Sequence, residues 1–381
     1  MIFVRLSSNY FFYFALLGLT LPYLSVFLDE QGFNSRQVGE IIAIVTATKI
    51  FGPSLWAILA DKTAKPLFII RLGALLALVS FSLLYWFTQY WPITFCLALF
   101  TLFWTAILPQ LEVHTLGSLK YNSKMYGRVR VWGSLGFIVL AVVAGEAISS
   151  LGTHAFTSLG VMILTGLFIS TLLLTPRKIR KSTQVSTREP TNLFKKLTER
   201  RFICFFVAGL LLQISFGPYY SFFALFLRDF NYSGISIGLF ISLGALAEII
   251  AFIYMGALFK RYAINTLLVF SLVITAARWY LMPVVADSIL LLIINQLGHA
   301  ASFAIYHSAS MKFISSHFTK AQQNRGQAIY VGGLYGIGGA IGAYLAGILW
   351  LDGQGSTNAF IVAGTCALLG ATVLLFSKKT K

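Results

Sequence analysis

The 381-residue chain is 57% hydrophobic and only 11% charged, with a mean hydropathy of +0.80. A water-soluble globule of this length carries roughly a quarter charged residues, so a soluble enzyme or soluble binding module is excluded. The formal charge of +17 would fit a nucleic-acid binder by magnitude alone, and only the placement of its 29 Lys and Arg residues excludes that class.

Continuous apolar runs recur at the length, ~20 residues, that carries a helix across hydrocarbon. In chain order the predicted spans cover 6–28, 37–60, 66–88, 92–116, 127–150, 155–175, 202–227, 235–259, 264–286, 288–312, 325–350 and 357–377. A membrane β-barrel is excluded, because its strands alternate over ~10 residues whereas these runs are unbroken and longer. The fold class is therefore an all-α membrane protein of twelve spans. The first run is too long in its apolar region for a cleavable signal, and no small-residue cleavage site follows, so it is expected to stay as the first helix.

Span two carries Lys49, ten residues beyond Gly39. At ~1.5 Å per residue that is about 15 Å, half the hydrocarbon thickness, where a charge costs ~2.5–3.5 kcal/mol even on the lenient insertion scale. Span four carries Glu112 and His114, which point to different faces because they lie two positions apart. Glu112 shares its face with Thr105, Pro109 and Thr115 and is expected toward a cavity, with His114 as a packing residue. Glu112 and Arg130 each lie nine positions from Tyr121 in the turn between spans four and five. They should therefore sit at similar depth, where a guanidinium fork can grip a carboxylate. Two readings stay open: a substrate or gate network, or a local cytoplasmic anchor.

The polar stretch 176–201 reads as a cytoplasmic linker between an N-terminal bundle, 1–175, and a C-terminal bundle, 202–381. Span seven contributes Gln213, Tyr220 and a Gly217–Pro218 step, which either exposes carbonyls to a cavity or merely kinks the helix. Span eight places Glu248 inside "GALAEIIAF", span five contains Glu146, and span nine contains Arg278. In span ten, Asn295, His299, Ser302 and Tyr306 recur every three or four residues, as a wetted wall would. His307 falls about 80° round from His299 at ~100° per residue, so both should border one cavity. Imidazole and a desolvated carboxylate are proton carriers near neutral pH. The two histidines lack metal-ligand spacing, and Cys96, Cys204 and Cys366 are scattered within spans, so neither a metal nor a cofactor is expected. The small residues of "GQAIYVGGLYGIGGAIGAYLAG" and "WGSLGF" serve close helix packing.

Twenty-four of the 29 basic residues fall on one side if Arg5, the alternate loops and the tail share it. The positive-inside rule then puts both termini in the cytoplasm, and the basicity is a topology signal with no nucleic-acid partner. Sliding the second half onto the first at an offset of 199 matches Gly18 with Gly217, Phe27 with Phe226, Gly39 with Gly238 and Gly127 with Gly326. The same offset superposes Glu248 on Lys49. Such a parallel repeat of two six-helix halves resembles the major facilitator superfamily, and that resemblance implies a central midplane site and alternating access.

"YGRVRVWGSLGF", residues 126–137, resembles the fifth helix of the lactose-permease-like branch, whose sugar/proton symporters pair a late helix-four glutamate with the second Arg of this motif; Glu112 and Arg130 match those positions. Glu248, "ARW" at 277–279 and "HAASFAIYHSASMKF", with Lys49 and Arg71, are similar to the bacterial 3-phenylpropionic acid transporters. The loop "AILADKTAKP" departs from the superfamily signature: Asp61 and Lys62 match a cytoplasmic gate, whereas Ala57 and Ala64 replace glycines. The resemblance implies a monomer in the bacterial inner membrane that takes up a small organic solute with protons. Lys49, Glu112, Arg130, Gln213, Tyr220, Asn295 and Tyr306 would bind or gate substrate, and Glu248, Arg278, His299 and His307 would couple protons. A nucleoside or sugar symporter, a drug/proton antiporter and a non-transporting sensor remain open. The sequence has no nucleophile elbow, HExxH or phosphate loop, which argues against an enzyme.

Overall fold

The computed structural model describes residues 2–63, 65–175, 193–320 and 322–377, apart from the side chains of Asp61 and Ser123; residues 176–192 of the expected linker lie outside the described residues. Among the described residues there is no strand, and twelve helices are long and apolar enough to cross a membrane. They are α1 (Ile2–Glu30), α2 (Ser35–Ala60), α3 (Pro66–Tyr85), α4 (Tyr90–Ser118), α5 (Lys124–Leu151), α6 (His154–Leu172), α7 (Arg200–Asp229), α8 (Gly234–Arg261), α9 (Ile264–Val285), α10 (Ile289–His317), α11 (Gln323–Gly353) and α12 (Ser356–Leu375). In hydrocarbon every backbone group must find its partner within the segment, which is why long helices are the element used.

Short polar caps set the helix ends. Asn122 accepts from the Met125 amide before α5, and Ser288 accepts from the Leu291 amide before α10. At the end of α6, Arg71 of α3 donates from Nη2 to the Leu174 carbonyl at 2.9 Å and from Nε to the Thr171 carbonyl at 3.4 Å. A cation over the last carbonyls both satisfies them and complements the helix dipole. Arg71 is thus a structural cap.

The chain divides into two compact units, Met1–Lys181 with Ser221–Ser242, and Ser182–Tyr220 with Leu243–Lys381. In the first, α1 lies close along α5. A Cβ on Gly18 would meet the Phe137 carbonyl, and one on Gly136 would meet the Phe11 carbonyl. The Tyr23 hydroxyl adds a 2.7 Å bond to the Ala141 carbonyl. The end of α7 and the start of α8, Ser221–Ser242, belong to this unit. There Gly234 packs on the Gly145 carbonyl, Gly238 packs on the Ala141 carbonyl, and Arg228 Nη2 pairs with Asp29 Oδ2 at 2.7 Å.

In the second unit, α7 kinks at Phe216, between helical stretches Arg200–Ser215 and Gly217–Asp229. The Phe216 amide is shared by the Leu212 and Gln213 carbonyls at 3.3 Å, and the Tyr220 amide reaches the Phe216 carbonyl at 2.9 Å. The Gly217–Pro218 step is therefore a kink whose ladder closes on either side. Gly217 itself is pressed on the Gly342 carbonyl of α11, where no side chain fits. The small residues of α5 and α11 pack, as read from the sequence.

Candidate functional site

The polar core of the second unit is built from α8, α9 and α10. Arg278, only 3% exposed, donates from Nε to the Asn295 carbonyl at 2.8 Å, and Asn295 Nδ2 returns a 2.9 Å bond to the Arg278 carbonyl. This reciprocal staple locks α9 to α10. Arg278 Nη1 donates to Ser302 Oγ at 2.9 Å and faces His299 Nδ1 at 3.3 Å. A guanidinium can only donate, so His299 Nδ1 must accept, which leaves the imidazole proton on Nε2. That nitrogen donates to Glu248 Oε1 at 2.7 Å. A neutral imidazole therefore links a carboxylate to a guanidinium, and two charges that would each be costly in hydrocarbon compensate one another through it. Glu248 is the end of the chain that remains accessible, its side chain 20% exposed against 6% for His299.

Aromatic residues wall the cluster. Arg278 lies over Trp279 at 4.6 Å and Tyr219 at 5.6 Å, the Tyr219 hydroxyl donates to Gln296 Oε1 at 3.1 Å, and Trp279 Nε1 donates to Ser215 Oγ at 3.2 Å. The stripe Asn295, His299, Ser302 and Tyr306 is not a wetted wall: all four are buried, directed at the helix partners of α10. Close to Arg278 the buried atoms Arg278 Nη2, Asn295 Oδ1 and Gln296 Nε2 keep hydrogen-bonding capacity that no described protein atom uses.

The ~100° per residue of a regular helix does not hold between His299 and His307. Residues Ala300–Ile305 form a π-helical turn, and the wider turn brings positions four apart into line. The rings of His299 and Phe303 are parallel within 10° at a centroid separation of 6.1 Å, and those of Phe303 and His307 within 5° at 5.9 Å. A second π-helical stretch, Val331–Gly338, carries Tyr335, whose hydroxyl lies 3.2 Å from His307 Nδ1 and 3.4 Å from the Tyr330 hydroxyl.

The first unit treats its charges differently. Glu112 and Arg130 do not form the expected ion pair: the Tyr126 hydroxyl donates to Glu112 Oε1 at 3.4 Å, while the Arg130 guanidinium lies 4.1 Å over the Phe14 ring and 5.7 Å from the Tyr10 ring. Equal depth brought them near one another, but the aromatic faces of α1 capture the guanidinium. Lys49 is half-buried and has no hydrogen-bond or ion-pair partner among the described residues. His114 is buried, as a packing histidine should be. Gln213 is buried on α7, and the half-buried Tyr220 stacks on Phe216 at 4.9 Å. Lys62 is exposed, and the Asp61 side chain lies outside the described residues. Among the described residues no cluster of His, Cys, Asp and Glu could hold a metal ion.

Sequence reading gave no site role to Phe303, Tyr335, Tyr330 or Tyr219, because aromatics on apolar helices most often serve packing or the interface. The His-x3-Phe-x3-His spacing of 299, 303 and 307 was the one available clue.

Known proteins agree with this architecture. The chain is 27% identical over 350 residues to the probable 3-phenylpropionic acid transporter of Escherichia coli (strain K12), covering 91% of this chain and 90% of that one. It is 25% identical to the maltose permease of Geobacillus stearothermophilus, covering 97% and 93%. Its fold superposes on the crystal structure of the nucleoside transporter NupG with a TM-score of 0.87 at 16% identity, covering 100% of this chain and 99% of that one. The relatives and fold neighbours are membrane transporters of differing substrate, and none is an enzyme. The profile of the MFS_1 like family matches residues 3–362, nearly the whole length, and the chain belongs to that family of major facilitator transporters.

Proposed function

We propose that the protein imports a small organic anion, an aromatic carboxylate such as 3-phenylpropionate, together with protons, by alternating access. The observation that carries this reading is the contrast between the two units. Glu248 and Arg278 are compensated through His299, whereas Lys49 holds a mid-span cation with no partner among the described residues. An uncompensated ammonium at that depth is expensive, and an anionic substrate would offset the cost each time it binds. The name of the Escherichia coli relative supports an aromatic carboxylate.

In this reading Lys49 anchors the carboxylate, and Glu112, Arg130, Gln213 and Tyr220 shape or gate its site. Asn295, stapled to Arg278, and the buried Tyr306 hold α10 in position. Glu248 binds the transported proton, with His299, Arg278 and His307 in support, and Asp61 with Lys62 forms the cytoplasmic gate. The protein works as a monomer in the bacterial inner membrane with both termini cytoplasmic, a topology supported by the distribution of Lys and Arg.

The test is uptake into proteoliposomes of labelled 3-phenylpropionate, maltose and a nucleoside, with and without an imposed pH gradient. Accumulation of the carboxylate, driven by an acidic exterior, is expected. Accumulation of the sugar or nucleoside alone would move the reading to a symporter for that class. Movement of substrate out against the proton gradient would make the protein an antiporter.

A further inference from the structure

Between His299 and His307 lies one hydrocarbon ring. Phe303 is parallel to both imidazoles, and the edge of Tyr335 closes on it with centroids 6.4 Å apart at 75°. Offset-parallel and edge contacts of this kind hold a ring in place. Above Phe303 are Glu248, His299 and Arg278; below it are His307, Tyr335 and Tyr330, joined by hydroxyl contacts at 3.2 and 3.4 Å. Both clusters can carry a proton, and the ring between them can neither donate nor accept one.

We propose that Phe303 is the proton barrier of α10, holding the Glu248–His299 pair apart from a second proton site at His307 and Tyr335. The inference rests on the proton-coupled reading and adds a route and a gate to it. When Phe303 swings aside, water bridges the gap. One proton then leaves the Glu248 carboxyl and is taken up by His307, whose Nδ1 is held by the Tyr335 hydroxyl. The backbone around the ring is suited to such a motion: Phe303 lies in one π-helical turn, and Tyr335 lies in another that contains Gly332, Gly333, Gly336 and Gly338. Wide turns of this kind are rare and occur frequently at functional positions.

The experiment measures passive proton entry into pyranine-loaded proteoliposomes under a potassium–valinomycin potential, with no substrate present. Phe303→His exchanges one ring for another and should raise the leak several-fold over wild type, as should Phe303→Ala. Phe303→Leu, which keeps an apolar plug, should stay tight. Adding His307→Gln to Phe303→His should return the leak to the wild-type rate. Tight vesicles with both Phe303→His and Phe303→Ala would overturn the proposal, and so would a leak indifferent to His307→Gln. Substrate-driven proton uptake by the wild type is scored separately. Its absence would remove the coupling reading, whereas the substrate-free leak decides on Phe303.

Discussion

Glu248 and Arg278 are joined through a single imidazole: His299 donates to Glu248 Oε1 at 2.7 Å and receives Arg278 Nη1 at 3.3 Å. The arrangement constrains what a further proton on either group would do to the contacts. Adding one to His299 Nδ1 would break its contact with Arg278 and set two cations together. Adding one to Glu248 keeps every contact and leaves the guanidinium charge uncompensated. Protonation of Glu248 thus changes the net charge of the cluster, which is the kind of change that can bias a two-state transporter.

The first prediction concerns that compensation. Arg278→Met leaves the partly exposed Glu248 without its countercharge and should destabilise the protein by less than the roughly 3–5 kcal/mol that breaking a fully buried pair costs. Introducing Glu248→Gln into the same chain should recover part of the loss. Thermal unfolding in detergent over the double-mutant cycle reads the coupling; strictly additive effects would show that the two residues are independent.

Lys49 should discriminate by charge. Lys49→Gln is expected to weaken carboxylate uptake by about tenfold or more, the equivalent of ~1.4 kcal/mol, while Lys49→Arg keeps much of it. Binding of the uncharged amide of the same acid should be far less affected. Equal losses for acid and amide would show that Lys49 acts on folding or gating and not on the anion.

Glycine packing gives a paired test. A Cβ on Gly136 would strike the Phe11 carbonyl, whereas one on Gly256 meets nothing within 4 Å. Gly136→Ala should destabilise by roughly 1–3 kcal/mol through overpacking. Gly256→Ala, an open helical position, should be neutral or stabilising by about 0.5–1 kcal/mol. Melting temperatures of the two variants measured side by side check both signs.

Just before α7, the Lys196 ammonium lies 3.0 Å from Glu199 Oε1 and holds that carboxyl below the usual carboxylate range. His317 accompanies it, with Nε2 2.9 Å from the Lys196 carbonyl. Because the folded-state value is depressed, the contribution is present through neutral pH and is lost as pH falls through and below the ordinary carboxylate range. A nitroxide at Thr198 should stay immobile from neutral pH to mild acid and loosen only under stronger acid. Glu199→Gln should give the loosened spectrum at every pH, and a wild-type transition near neutral pH would contradict the assignment.

The spans were legible because hydrocarbon thickness sets their length and leaves no alternative to helix. Depth was legible too: Glu112 and Arg130 do occupy one neighbourhood, and Glu248, Arg278 and His299 do converge. Contacts were not. Whether Arg130 grips Glu112 or lies on Phe14 depends on which partner its long side chain reaches, and several aromatic faces were within range. Nor does spacing say that Glu248 meets His299 directly and Arg278 only through it. The alignment of His307 with His299 was hidden because periodicity assumes ~100° per residue, and a π-helical turn changes that angle without any compositional mark. The placement of Ser221–Ser242 with the first unit likewise follows from Gly145, Gly234 and Gly238, glycines whose spacing shows small size but not which backbone they meet.

The most direct measurement of the central claim follows pH inside proteoliposomes when substrate alone provides the driving force. Adding 3-phenylpropionate outside vesicles that hold the wild-type protein, with no imposed gradient and the membrane potential clamped, should acidify the lumen. The Glu248→Gln protein should exchange substrate across the membrane and leave lumenal pH unchanged. Substrate-driven acidification that persists undiminished in Glu248→Gln, or wild-type uptake with no proton movement, would contradict the account.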